Sequence, residues 1–392
     1  MKRRHFLAAT SAAVILPHLA FGDAPKRKVA VIGHTGRGNY GHGLDTVWQE
    51  IPATEIVAVA DANSAGLEKA KAKLKLERGY ADYRQMLSDV RPEFVAVAPR
   101  YVDEHRDMIL AAIDAGAKGI YCEKAFCRTP AEADEIIAAA DKQGVKIAVA
   151  HRNRYHPALP QIKALIASGE LGKLIEMRGR GVGDRRGGGE DLWVLGTHIF
   201  NLVDYFAGAP RSCSAIMLQD GRPVTSADVR EGAEGLGPLA GNELHARYET
   251  EQGIVAYYDT VADDGTDRQA YCLQLIGGKG MVTIFIDRNP IAYFSPGNPY
   301  QTTEPRQWLP ITSAGVGKPE PNPEACKEVA NHVLGVKDLI DAVDNNRQPL
   351  CSATDARTAV EMVCAAFASH VADGKRVNFP LQERGNALAS WK

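Results

Sequence analysis

Short apolar runs alternate with helical stretches from Lys28 to Ala150, and this alternation constrains the fold more than any other feature of the sequence. The runs occupy residues 28–32, 55–60, 94–99, 119–122 and 145–150. Helices are predicted between them at residues 44–49, 64–76, 106–115 and 130–143. Apolar runs that are each followed by a helix indicate parallel strands buried on both faces. The first part of the chain is therefore predicted to form a doubly wound α/β sheet.

In the turn after the first run, Gly33 and Gly38 match the outer glycines of the pattern G-x-G-x-x-G, which holds the pyrophosphate of a dinucleotide. After the second run, Asp61 stands where a carboxylate can accept both hydrogen bonds of the adenosine ribose diol and repel a 2′-phosphate. Residues 26–150 are therefore predicted to be a Rossmann-type domain that binds NAD in preference to NADP. The predicted contacts in the turn are Gly33, Thr35, Gly36, Arg37 and Gly38, with Thr35 in place of the middle glycine. The alternative is an ordinary glycine-rich loop, with Asp61 capping the next helix.

Glu123 and Lys124 leave the fourth run at its carboxyl end, which is where ligands bind in such sheets. A lysine at this place can hydrogen-bond a substrate hydroxyl and carry its proton. Burial and an adjacent positive nicotinamide ring would both lower the pKa of the lysine and so favour this role. A solvent-exposed Glu–Lys pair is the alternative.

With these motifs the chain resembles the glucose–fructose oxidoreductase and inositol dehydrogenase family (Gfo/Idh/MocA). Members carry the glycine loop, the strand-end acid, a segment with Pro and then His, and the tripeptide E-K-P. Here the last two features are Pro99 with His105, at a longer spacing than usual, and Glu123-Lys124-Ala125, in which Ala125 replaces the proline. The resemblance implies an NAD-dependent enzyme with Lys124 as its acid–base group. The further cofactor contacts that it implies are Pro99, His105, Glu123 and Lys124.

Alternating polar and apolar residues in the second half predict strands at residues 243–249, 253–260, 271–276 and 281–287. Residues 289–321 are predicted to be a loop, and helices are expected at residues 331–344 and 355–373. A strand at residues 377–381 would close the chain. Residues 151–392 are thus predicted to be an α+β domain with a large open, mostly antiparallel sheet. In the resembling family the outer face of this sheet forms oligomers, so a homodimer or homotetramer is expected.

The resemblance extends to the segment 151–157, which crosses into the second domain, and Arg154 and Tyr155 in it are predicted to contact the substrate. It extends also to the family pattern D-x-G-x-H-x-x-D, where His198 matches the histidine. Val194 and Asn201 replace the two aspartates of the pattern.

His198 is predicted to be the catalytic partner of Lys124 and a substrate contact, with a satisfied core histidine as the alternative. Asn201 is a further predicted substrate contact. The acid that is missing at Val194 leaves the usual dehydrogenase relay incomplete. Asp191, which is also predicted to contact the substrate, or Tyr155 is the candidate to replace it.

Three functions remain open on this basis. The leading prediction is an oxidoreductase that transfers a hydride between NAD and a secondary hydroxyl of a sugar or polyol. The alternatives are a glycosidase that retains tightly bound NAD and works by transient oxidation and elimination, and a non-catalytic sugar-binding protein. The sugar itself is not encoded in a readable way.

The formal net charge of −2 argues against a nucleic-acid partner, which would need a clustered basic surface. The seven cysteines lack the paired spacing of a zinc site, so no metal is expected, and they are interpreted as buried apolar residues rather than disulfides.

The leader combines a basic start, an apolar stretch at residues 12–19 and small residues at 20–22, which predicts an export signal over residues 1–22. Arg3 and Arg4, followed by His5-Phe6-Leu7, resemble the twin-arginine signal, so a periplasmic location is expected. The apolar stretch is shorter than the roughly 20 residues of a membrane helix, so no membrane insertion is expected after processing. A ragged N-terminus is the alternative.

Overall fold

The computed structural model describes residues 25–266, 268–301, 303 and 305–392. The export signal predicted over residues 1–22 lies outside these residues. Within them, none of the helices is both long enough and apolar enough to cross a membrane. All seven cysteines fall in the described part of the chain, where each is buried with a free thiol.

Within residues 27–149, all of which are described, six parallel strands form the first sheet. They are β1 (Arg27–Ile32), β2 (Thr54–Ala60), β3 (Gly79–Tyr80), β4 (Phe94–Val97), β5 (Gly119–Cys122) and β6 (Lys146–Val149). The connecting helices are α1 (Ser64–Leu74), α2 (Tyr83–Val90), α3 (His105–Asp114) and α4 (Pro130–Gln143). The strand order β3-β2-β1-β4-β5-β6 reverses the winding between β1 and β4 and leaves a crevice at their carboxyl ends. The predicted Rossmann sheet is confirmed.

The second half adds six helices, which are α5 (Leu159–Ala167), α6 (Gly188–Asp191), α7 (Thr197–Ala207), α8 (Pro323–Ala330), α9 (Val333–Asp344) and α10 (Ala353–Val371), as counted over the described residues. Its first strands are β7 (Leu174–Arg180), β8 (Pro210–Gln219), β9 (Arg222–Pro223), β10 (Arg230–Glu231), β11 (Pro238–Leu239) and β12 (Glu243–Thr250). The remaining strands are β13 (Val255–Val261), β14 (Cys272–Gly277), β15 (Gly280–Phe285), β16 (Ala292–Pro296), β17 (Leu309–Thr312), β18 (Gly315–Val316) and β19 (Val377–Asn378).

Eleven of these strands, over the described residues, form one sheet in the order β18-β17-β16-β15-β14-β7-β13-β12-β8-β19, with β9 beside β8. The pair β7 and β13 is parallel and the other neighbours are antiparallel, which confirms the predicted mixed, mostly antiparallel sheet. The loop predicted at residues 289–321 is wrong, because β16, β17 and β18 lie inside it. Their short apolar runs are separated by proline and glycine, which hid them in the sequence.

One face of the second sheet packs on α7 and α10 and the other is half-exposed. Phe200 of α7 contacts the rings of Tyr248 and Tyr258 at centroid distances of 5.2 and 5.1 Å, which fixes α7 against the sheet. Burial of each large apolar side chain is worth about 1.5–3 kcal/mol. The oligomer expected from the outer face stays a prediction, as does the domain boundary at residue 150.

The helix predicted at residues 44–49 is wrong, because the structure has only a 3₁₀ turn there, Val47–Glu50. Before this turn, Gly36, Gly38, Gly41 and Gly43 all have positive φ angles, so the chain reaches it through a series of tight turns. Helix α9 from the far end of the chain covers the sheet face beside this turn. Its side chains pack against the following residues of the first sheet and the turn: Val29, Val31, Trp48, Phe94 and Tyr121.

Candidate active site

A cleft of about 360 Å³ opens at the carboxyl ends of β1 and β2, at the point where the winding reverses. Gly33 begins the turn that borders it, and Gly36 has a φ of +88° with no described atom within 4 Å of the position that a Cβ would take. The backbone of the turn is therefore open to a ligand on this side. The charged residues that line the cleft are Asp61, Asp82, Arg84, Asp103, Glu104 and Asp107.

The carboxylate of Asp61 is saturated with hydrogen bonds from the protein itself. It accepts from the backbone N–H of Thr35 at 3.0 Å, from the Thr35 hydroxyl at 2.6 Å, from the Tyr40 hydroxyl at 2.8 Å and from the N–H of Asn63 at 2.9 Å. Burial opposes ionisation of Asp61, but these hydrogen bonds outweigh it and lower its pKa. Asp61 therefore anchors the glycine turn in its shape, and the predicted contact with a ribose diol stays a prediction.

Arg37 and Gly38 lie at the far side of the turn, against the loop that follows β4. Arg37 donates to Asp103 at 2.7 Å and to Glu104 at 2.9 Å, and a Cβ at Gly38 would lie 2.3 Å from the backbone nitrogen of Arg100. The glycine is thus required for the turn and the loop to pack together, and the guanidinium of Arg37 is held by two carboxylates.

His105 joins the loop after β4 to the turn after β5. Its ring nitrogens lie 2.7 Å from the carbonyl oxygen of Pro99 and 2.9 Å from that of Ala125, and the side chain is fully buried. Both nitrogens are committed inside the protein, so the structure places His105 behind the cofactor crevice instead of in it. Its role is to position the turn that carries Lys124, in which the Lys124–Ala125 peptide is cis.

Glu123 ties the same turn to the glycine-rich segment. Its carboxylate is fully buried and accepts from the backbone N–H of Lys124 at 2.6 Å, from the backbone N–H of His42 at 3.1 Å and from Nδ1 of His42. Although burial opposes ionisation, the contact with His42 lowers the pKa of Glu123 to about 2. His42, which the sequence reasoning missed, thus joins the cofactor turn to the lysine turn.

Lys124 is half-buried at the end of β5 and reaches across to the second half of the chain. Its Nζ donates to the carbonyl oxygen of Val194 at 3.2 Å, in the irregular turn Leu192–Gly196 that leads into α7. Where the family pattern has an aspartate, the lysine therefore meets a backbone carbonyl. A carbonyl can accept this hydrogen bond but cannot take up a proton.

His198 stands in the first turn of α7 and His151 directly after β6, and their rings meet edge to face with centroids 5.2 Å apart. Both are buried, and Nδ1 of each has no hydrogen-bond partner among the described residues. Burial, reinforced by the positive charge of Lys124, lowers the pKa of His198 to about 3. Burial together with His198 and Lys124 also lowers that of His151 well below its usual value, so both rings are neutral near pH 7.

Arg152 and Asp287 form an ion pair beside this group. Nε of Arg152 donates to Oδ1 of Asp287 at 2.9 Å, and Asn153 donates to the same oxygen at 3.1 Å. Burial raises the pKa of Asp287, but the contact with Arg152 outweighs it and sets the pKa at about 2. Asp287, the carboxylate that affects the pKa of His198 most, is thus already paired with Arg152.

The structure does not bring Arg154 and Asn201 to Lys124. Arg154 donates to the backbone carbonyl of Asn201 and to Asp355 at 2.9 Å, and it lies 3.4 Å from Asp204. The amide of Asn201 faces the thiol of Cys351. Both residues belong to a buried clamp that joins α7 to the start of α10.

Asp191 and Tyr155, the candidates for the missing acid, also lie elsewhere. Asp191 accepts from Thr260 at 2.6 Å and from Tyr258 at 3.0 Å on the second sheet, and burial raises its pKa. Tyr155 is buried beside Cys351, and its hydroxyl has no partner in the described part of the chain. Of the predicted catalytic and substrate residues, His198 is the one whose pKa the charge of Lys124 lowers, which indicates that the two lie near each other.

The comparisons with known proteins agree with this architecture. Residues 27–151 match the family described as GFO_IDH_MocA, "Oxidoreductase family, NAD-binding Rossmann fold". Over these residues the match supports the Gfo/Idh/MocA oxidoreductase family, as the sequence motifs predicted.

Among curated relatives, D-apiose dehydrogenase of Paraburkholderia graminis is 34% identical over 125 residues, which cover 32% of this chain and 33% of the relative. Inositol 2-dehydrogenase of Salmonella typhimurium is 30% identical over 132 residues, covering 33% and 39%. The chain thus spans little more than a third of the length of these relatives. A structure of levoglucosan dehydrogenase with NADH and L-sorbose superposes with a TM-score of 0.72 at 19% identity, over 91% of this chain and all of that one. At such low identity the likeness shows the fold.

Proposed function

We propose that this protein is an NAD-dependent oxidoreductase that oxidises a secondary hydroxyl of a sugar or polyol by transferring a hydride from the carbon that carries it. The observation that carries the proposal is that Lys124, at the carboxyl end of β5, bonds to the carbonyl of Val194 just before α7 and lies near the paired rings of His198 and His151, whose Nδ1 atoms have no partner among the described residues. The names of the relatives support it, since they are dehydrogenases of D-apiose and inositol.

The residues of the crevice fit a dinucleotide. The backbone of the turn at Gly36 is open to a ligand. The cleft lies beside the point where the strand order reverses between β1 and β4, which is where dinucleotides bind in such sheets. The residues that would hold the cofactor are Gly33, Thr35, Gly36, Arg37, Gly38 and Pro99, on a turn anchored by Asp61 and Glu123. Bound NAD would supply the hydride acceptor.

In this proposal Lys124 first releases its own proton and then takes the hydroxyl proton through Nζ as the hydride leaves the substrate carbon. Glu123 and His105 hold the backbone on either side of the lysine, so its position is fixed before the substrate arrives. His198 is neutral and offers a hydrogen bond to the substrate instead of a second proton-carrying charge. The products are a ketone, a reduced cofactor and one proton on Lys124.

The proposal is tested by incubating the purified protein with NAD and a panel of sugars and polyols and following NADH. Net NADH formation supports the proposed oxidoreductase. Cleavage of aryl glycosides without net NADH would contradict it and support a glycosidase that works by oxidation and elimination. Binding of sugars with neither reaction would indicate a non-catalytic sugar-binding protein.

We also propose that the cofactor is NAD and not NADP, because the five carboxylates that line the cleft would repel a 2′-phosphate. Asp61→Ala is expected to weaken NAD binding by about 1–3 kcal/mol, because the turn loses a charged acceptor of four hydrogen bonds. Titration with NAD measures the loss. Thr35→Val is the matched control, since it removes one hydroxyl donor and keeps the carboxylate, and its effect should be smaller. Equal affinity of the wild type for NADP and NAD would contradict the assignment.

We propose further that the leader directs the protein to the periplasm by the twin-arginine route, on the pattern Arg3-Arg4-His5-Phe6-Leu7. Replacing both arginines by lysine should leave unprocessed protein inside the cell, which fractionation and immunoblotting would show. Lys2→Gln is the control and should be exported normally. Normal export of the double arginine variant would count against the proposal.

A further inference from the structure

The site lacks a carboxylate where its lysine would be expected to have one. Val194 offers Lys124 only its backbone carbonyl, Asp191 is bonded to the second sheet, and Asp287 is paired with Arg152. Near Lys124, Nδ1 of His151 and Nδ1 of His198 are buried and have no hydrogen-bond partner among the described residues.

We propose that His151 is a substrate-binding residue, which together with His198 binds two hydroxyl groups of one neutral sugar or polyol and takes the place of the absent carboxylate. The inference rests on the proposed function and assigns a role to a residue that the sequence motifs leave without one.

Geometry supports a separate role for each ring. The planes of His151 and His198 are inclined by 86° with centroids 5.2 Å apart, so the rings touch edge to face and their Nδ1 atoms are not bonded to each other. A buried polar atom without a partner destabilises the folded state, and folded proteins keep few of them. Two such atoms next to one lysine at the carboxyl edge of a parallel sheet indicate a polar ligand.

The charges around the pair indicate what kind of ligand it is. Both rings are buried and uncharged, and the nearby guanidinium of Arg152 is neutralised by Asp287 at 2.9 Å. Neutral imidazoles exchange hydrogen bonds with hydroxyl groups, so the two rings themselves recognise hydroxyls and not a charged group. A polyhydroxylated neutral compound therefore suits the pair, with one hydroxyl on each ring and the reacting oxygen at Lys124.

The test compares His151→Phe, which keeps a ring but removes both nitrogens, with His151→Asn, whose amide places a polar atom near the position of Nδ1. The probes are inositol, D-apiose and levoglucosan, titrated calorimetrically into protein loaded with NADH, and KM and kcat are measured with NAD. His156→Phe is the matched control, because His156 lies in the same segment, is buried and has an unpaired Nε2, but is not beside Lys124.

His151→Phe is expected to raise both the Kd of the best probe and KM at least about tenfold, with NAD affinity and thermal midpoint retained. His151→Asn should stay within about threefold of the wild type, and His156→Phe should bind normally. A purely structural role would instead lower the thermal midpoint and kcat and leave Kd unchanged, and this would overturn the inference.

The two proposals fail in different ways. Normal probe binding by His151→Phe in an enzyme that forms NADH overturns the role of His151 and leaves the proposed function standing. Probe binding that depends on His151, without NADH formation, overturns the proposed function and leaves the binding role standing. A wild type that binds none of the three probes overturns both.

Discussion

Lys124→Met should lower turnover about 10²–10⁴-fold, which is what a positioned proton carrier typically contributes. Methionine keeps the length and apolar stem of lysine but cannot take the substrate proton. The fold should survive, because the lysine side chain makes a single hydrogen bond within the described residues, to the carbonyl of Val194. Steady-state kinetics on the best substrate, with a parallel titration of NAD, measures the two effects separately.

Lys118→Met is the control, because Lys118 is exposed and pairs with Glu93 at the opposite end of β5. It should turn over like the wild type. His198→Ala should cost less than Lys124→Met, because the neutral imidazole of His198 orients the substrate without carrying its proton. Near-normal turnover by Lys124→Met would contradict both the proposed site and the proposed mechanism.

Arg154→Met is expected to lower the free energy of unfolding by about 3–5 kcal/mol, the usual cost of removing one partner from a buried ion pair. Arg154 is 7% exposed and bridges Asp204 and Asp355. Burial, opposed by Arg154, already raises the pKa of Asp204 to about 6, so the loss of the guanidinium leaves two neighbouring carboxyl groups without a cation. Urea unfolding monitored by circular dichroism gives the change.

Arg106→Met is the matched control for this loss. Arg106 contacts Glu135 at 2.6 Å, as close as any contact of Arg154 with a carboxylate, but the pair lies largely in solvent on the surface of α3 and α4. Exposed pairs contribute about 1 kcal/mol or less. Equal destabilisation by the two variants would show that Arg154 is not the buried clamp described above.

The sequence predicted those parts of the structure in which the pattern of residues determines the environment. Runs that are apolar along their whole length indicate buried strands, so the order of strands and helices could be predicted, and with it the place of Lys124 at the carboxyl end of β5. His198 followed from its place in the family pattern. The directions of polar side chains could not be predicted from the sequence. Periodicity indicates which face of an element is buried, but not which hydrogen-bond partner a polar group has.

This limit explains the residues that were misplaced. Three of these residues, Arg154, Asn201 and Asp191, stand close to the site along the chain. Their side chains instead make hydrogen bonds at the start of α10 and on the second sheet. His151 was missed, although it follows β6 as directly as Lys124 follows the strand before it. The same rule about strand ends, applied to every strand of the parallel sheet, would have found it.

Helix α9 has a consequence for how the chain is made. One face of the first sheet is covered by residues 333–344, since the connection after β1 has too little helix to cover it. During synthesis the first sheet is complete in strands long before this cover emerges from the ribosome. The nascent N-terminal half therefore exposes an apolar sheet face until residues 333–344 have been made. A gene fragment that ends at residue 151 would encode a nucleotide-binding sheet without the helix that covers this face.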